Sequence, residues 1–134
     1  MYKILFIILV TLSINAHSAE LSKQYSNCLN TTSTNVDWSA CSNAEIDLQE
    51  KILKKVWKNV SKEMKTYSND AFVALLDEQR AWIKYKDSAC TYYTSRTDDD
   101  TPTFGREGMV LHYGACVASI IAERVEYLKN AIPR

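Results

Sequence analysis

Two groups of carboxylates stand where this chain could do acid–base chemistry. Asp77, Glu78 and Asp87 fall within LLDEQRAWIKYKDSAC (residues 75–90), and Asp98, Asp99 and Asp100 within SRTDDDTPTFGREG (residues 95–108). Two such groups across one bond can protonate a leaving oxygen and act from the opposite face, as in glycoside hydrolysis. Their surroundings weaken that reading. Acids close together on one helix commonly form a solvated face, and no glycine and glutamate follow the aspartate run at the spacing of a calcium loop. The chain has no GxSxG elbow, HExxH helix or Gly-rich phosphate loop. After the first nineteen residues its one histidine is His112, on a helical face beside Tyr113 and better read as a packing or surface residue. A binding protein is therefore expected rather than an enzyme, with no catalytic residue, metal or cofactor.

The cysteines point the same way. The chain opens MYKILFIILVTLSINAHSAE, with Lys3, an uncharged apolar run from residue 4 to 14, and small residues at Ala16, Ser18 and Ala19. That is the layout of a secretory signal peptide, with cleavage after 16, 18 or 19 and a single domain over 20–134. The run is about half the roughly 20 residues of a membrane span, so no stable membrane anchor is expected after cleavage. All four cysteines (Cys28, Cys41, Cys90, Cys116) lie beyond it, and in an oxidising compartment, the periplasm or outside the cell, they imply two disulfides. Three pairings are possible. Spacing favours Cys28–Cys41 and Cys90–Cys116, each tying down a loop beside a helix end. Zinc is disfavoured by the absence of CxxC pairs.

Those residues must be carried by helices. Residues 20–33 read as a loop or short helical turn. Thr34-Asn35-Val36-Asp37 resembles a capping box with aspartate in the usual glutamate place. Val36, Ala40, Ala44, Leu48, Ile52, Val56, Val60 and Met64 then recur every four residues, with lysines and glutamates opposite, which predicts a first helix over about 34–65. A turn at 66–69 leads to a second helix over about 69–94, and a third spans about 107–131. The loop 95–108, with its proline and two glycines, separates them. The fold class is all-α: a long antiparallel hairpin plus a third helix, stapled by two disulfides.

Gln79 and Lys86 fall on the apolar stripe of the second helix with Trp82, so both need partners if buried. Arg124 lies on the stripe of the third helix, while Arg80 and Asp87 flank that of the second. An inter-helix Arg–Asp pair is expected to join them at the core edge, with Asp87→Ala costing several kcal/mol if the pair is buried. Cleavage of the leader would leave 15 basic against 16 acidic side chains, near −1. That balance lacks the basic footprint of a nucleic-acid binder.

The helix over 75–90 also resembles the signature of the lysozyme inhibitor LprI-like family of small exported bacterial proteins. The motif of leucines, Gln-Arg-x-Trp, an aromatic, Arg-Asp and a cysteine lands on Leu75, Leu76, Gln79, Arg80, Trp82, Tyr85, Asp87 and Cys90. Cys28 with Cys41, and Cys116 ahead of Arg124 and Leu128, match as well, so the resemblance covers about 28–129. Two departures stand out: Lys86 replaces arginine, and FGREGMVLHYGAC replaces a Gly-Gly-Ser segment. The resemblance implies inhibition of lysozyme or another cell-wall hydrolase. The disulfide-pinned loop would make the contact, through Asp98, Asp99 and Asp100 on basic residues of the cleft, with Phe104 as apolar anchor and Arg106 beside it. The alternative is an envelope-maintenance or interaction module with a different partner.

Overall fold

A computed structural model describes residues 19–132. The expected signal segment lies outside the described residues, apart from Ala19. The helices are α1 (Lys23–Thr31), α2 (Asn35–Tyr67), α3 (Asn69–Ser88), a 3₁₀ turn (Thr91–Thr94), a short α4 (Gly105–Glu107), a π-helical stretch (Gly108–His112) and α5 (Tyr113–Lys129). The described chain is all-α apart from one isolated bridge between Arg96 and Pro102.

The starts of α1, α2 and α3 are chemically marked. The Ser22 hydroxyl accepts the Tyr25 N–H at 3.1 Å, and Thr34 Oγ1 accepts that of Asp37 at 3.1 Å while donating to the Asp37 carboxylate at 2.7 Å. These bonds satisfy amides that a helix start leaves without intrahelical partners. Ser68 alone joins the hairpin. Its N–H closes α2 on the Met64 carbonyl at 2.8 Å, and its hydroxyl caps α3 at Ala71 N–H, 3.2 Å away.

Both α3 and α5 lie against α2, and their shared core is Leu53, Val60, Met64, Leu75, Ile121, Val125 and Leu128. Ile121 and Leu128 are fully enclosed. Where α2 and α5 cross, Gly114 meets Ser42 so closely that a Cβ on the glycine would stand 2.4 Å from the Ser42 Cβ.

Both favoured disulfides are present. Cys28–Cys41 fastens α1 to α2 with Cα atoms 5.8 Å apart, and Cys90–Cys116 fastens the end of α3 to α5 at 6.0 Å.

Three boundaries differ from expectation. Residues 23–31 form a full helix, held by a cap and a disulfide to α2 that a local propensity reading does not weigh. The second helix stops at Ser88, six residues before the expected end. Ala89 is extended and Cys90 turns left-handed, at φ 66°, which redirects the chain where its sulfur joins Cys116. A left-handed non-glycine costs on the order of 1–2 kcal/mol, so tertiary bonding overrides the helical pattern there. The third helix is interrupted by the π-helical stretch, a wider turn that periodicity does not reveal.

Candidate functional site

The crowded stretch 75–90 turns out to be a seam between helices. Gln79 is buried, and its Oε1 accepts a hydrogen bond from Arg124 Nε at 2.9 Å. Arg124, only 6% exposed, also donates through Nη1 to Glu78 at 2.5 Å. The other Glu78 oxygen accepts from the Tyr127 hydroxyl at 2.9 Å, which holds that phenol above its usual range. The guanidinium lies 4.7 Å from the Tyr127 ring centre and 5.7 Å from that of Trp82, within cation–π range.

The expected Arg124–Asp87 pair is therefore corrected: the acid that meets Arg124 is Glu78. Asp87 follows Glu78 by nine residues, about two and a half turns, so it emerges on the opposite side of α3. Its side chain is 68% exposed, with Lys86 Nζ 3.6 Å away. Arg80 likewise points to solvent and pairs with Asp77 at 3.1 Å within its own helix. Lys86 has the partner its position demands: Glu50 of α2, at 2.8 Å. That bond, against some desolvation, raises the lysine above its ordinary value. This seam fixes the positions of α2, α3 and α5 relative to one another.

The second candidate region, 95–108, is more ordered than its composition suggests. Thr103 N–H bonds the Ser95 carbonyl at 3.0 Å, and Thr97 N–H bonds the Thr101 carbonyl at 2.9 Å. Asp100 N–H closes the turn on Thr97 at 2.9 Å, with Asp100 itself left-handed at φ 64°. A three-residue hairpin loop ending in a left-handed residue has this form, and aspartate tolerates that conformation better than most side chains. Arg96 braces it, with Nη1 2.7 Å from the Asp100 carbonyl and 3.5 Å from its carboxylate.

The three aspartates thus have different duties. The Asp99 carboxylate accepts from the Thr97 hydroxyl and from Thr101 N–H, bonds that hold it below the usual carboxylate range. Asp100 sits beside Arg96. Asp98 has no hydrogen-bonding or ionic partner among the described residues, and all three are exposed.

Phe104, 48% exposed, lies at the hairpin's base. Its ring meets Tyr93 edge-on at 5.4 Å and Tyr92 at 6.2 Å, while Tyr93 stacks on His112 at 5.6 Å. Arg106 is exposed on the neighbouring α4. Sequence reasoning did not single out Arg96 or Tyr92, and it placed Tyr93 on the inner face of the second helix rather than in the 3₁₀ turn beyond it. Their one signal was position: a tyrosine doublet directly after Cys90, and an arginine four residues before an aspartate.

Only the family comparison gives a match: no curated protein and no solved structure matches the chain. With its two disulfides, helical core and Gln-Arg-x-Trp seam in place, the chain belongs to the lysozyme inhibitor LprI family, whose model matches residues 15–128.

Proposed function

We propose that this is an exported periplasmic protein that inhibits a lysozyme-type hydrolase by presenting the hairpin tip at 97–101 to the enzyme's cleft. The observation that carries this reading is the braced tip with its three exposed aspartates, Asp98 being free of any partner among the described residues. Lysozyme inhibition is the activity in the family's name. Binding favours elements that are ordered beforehand, because less conformational entropy is lost on association. Here the order comes from main-chain bonds, Arg96 and the nearby Cys90–Cys116 bridge. The exposed Phe104 adds an apolar contact beside the charges, and such aromatic anchors carry much of an interface's energy. The two disulfides fit an oxidising compartment.

The test is titration of the oxidised protein, purified after export, into cell-wall lysis assays with lysozymes of several classes. Near-stoichiometric, saturable inhibition is expected from one class. Asp98→Asn should weaken it about tenfold or more while leaving the melting temperature unchanged, since that carboxylate supports nothing within the fold. Asp99→Asn should weaken it by loosening the tip. Absence of inhibition and binding across the classes, or full potency in both variants, defeats the proposal.

A further inference from the structure

Near-neutral total charge conceals a strong segregation along α2. Lys51, Lys54, Lys55, Lys58, Lys62 and Lys65 are all exposed. At about 100° per residue, the six fall within an arc of about 100°, and no other side chain of 51–65 shares it. The arc faces directly away from Leu53, Val60 and Met64, which are buried on the opposite side of the same helix. It extends over about 21 Å of helix at 1.5 Å per residue. None of the six forms an ion pair among the described residues. Lys65 also reaches the Phe72 ring, 5.7 Å from its centre. Against six lysines, residues 51–65 hold one acid, Glu63.

We propose that this stripe docks the protein on an anionic phospholipid surface. Charge complementarity selects an anionic partner, and the shape of the stripe selects a surface. The six exposed lysines lie along one outward arc of a single helix, an arrangement that a plane can meet along its length. No apolar side chain shares the arc, so attachment is peripheral and purely electrostatic, unlike that of an inserting amphipathic helix. The acidic hairpin belongs to the other half of the molecule. It follows Cys90, whose partner Cys116 lies two residues beyond the Gly114–Ser42 crossing, and the stripe begins nine residues past Ser42. Surface docking therefore leaves the tip clear, and this inference stands whether or not the tip inhibits lysozyme.

Sedimentation of the exported, oxidised protein with vesicles tests it. Vesicles of phosphatidylglycerol with phosphatidylcholine should retain the protein at low salt, and phosphatidylcholine alone should not. Raising salt to about 0.5 M should release it, because screening shortens the reach of exposed charges to a few ångströms. Each lysine near such a surface contributes roughly fivefold, so Lys54→Gln, Lys58→Gln and Lys62→Gln together should weaken binding about 100-fold. Glutamine is a good helix former, so the fold should survive these changes, and the lipid and salt arms need no variant. Equal binding to neutral vesicles, insensitivity to salt, or an unaltered triple variant would overturn the proposal. Binding to soluble dextran sulfate without binding to the anionic vesicles would overturn it too, in favour of a polymer partner.

Discussion

Placing alanine at Gly114 sets two effects of opposite sign against each other. In a helix interior, Gly→Ala should stabilise by about 1 kcal/mol through backbone entropy. Here the new methyl would lie 2.4 Å from Ser42 Cβ and 2.6 Å from its Oγ. Non-bonded carbons sit comfortably at about 3.5–4.0 Å, so α2 and α5 must separate by more than about 1 Å at their crossing. Overpacking of this kind costs about 1–3 kcal/mol and occasionally more, and the obstacle is a short Cβ with no rotamer to escape into. The net expectation is destabilisation by about 1 kcal/mol, lowering the melting temperature by roughly 4 °C for a chain of this size. Adding Ser42→Gly removes the obstructing methylene, at a propensity cost of about 0.5 kcal/mol and the loss of the Tyr25–Ser42 hydroxyl contact, so the double variant should be more stable than the sum of the singles. Denaturant titration of the four proteins closes this cycle. Neutral or stabilising behaviour of Gly114→Ala would refute the reasoning, and additivity of the pair would show that Ser42 is not the obstacle.

Other outcomes follow from the polar contacts. Gln79→Ala should cost about 2 kcal/mol in denaturant titration, because a buried guanidinium donor loses its acceptor, whereas exposed Asp87→Ala should stay within about 0.5 kcal/mol. Glu45 is buried without a cationic partner among the described residues. Burial alone would raise its carboxyl, but hydrogen bonds from Gln49 and from the Ser22 hydroxyl and N–H prevail and lower it below 4.5. Its stabilising contribution is therefore complete above about pH 4.5 and lost as pH falls through the depressed value; Glu45→Gln should flatten that acid limb in melts across pH 3–6. Replacing Cys90 and Cys116 by serine opens a closure of 26 residues and should cost about 3.5 kcal/mol on the loop-entropy model, measurable by thermal melting, with looser hairpin amides in hydrogen exchange.

Much of this molecule was legible in residue order because its signals are local. The start of α2 follows from Thr34 and Asp37, and the α2–α3 hairpin from Ser68. The two bridges follow from the spacing of four cysteines in a chain expected to be exported, whereas the α2 stripe holds only toward its C-terminal end: Val60 and Met64 are buried, but Val36, Ala40 and Ala44 are exposed, and Ser42, Glu45 and Gln49 are buried in the first half of that helix. The Gln-Arg-x-Trp helix also carried the family likeness.

Partner choice was decided in three dimensions. Glu78 and Asp87 are equally acidic in the sequence, and only the rotation of α3 against α5 determines which meets Arg124. The break at Cys90 arises because a disulfide to Cys116 outweighs local helix propensity. The tip at 97–101 is ordered by main-chain bonds within its own hairpin and by Arg96, although its composition reads as an open loop. The lysines of α2 were visible as a polar face. Packing of the opposite face is what turns all six outward without a carboxylate partner among the described residues. Residue types and spacings determined the helices, whereas helix rotation and chain crossing decided which charges were paired and which were left for a partner.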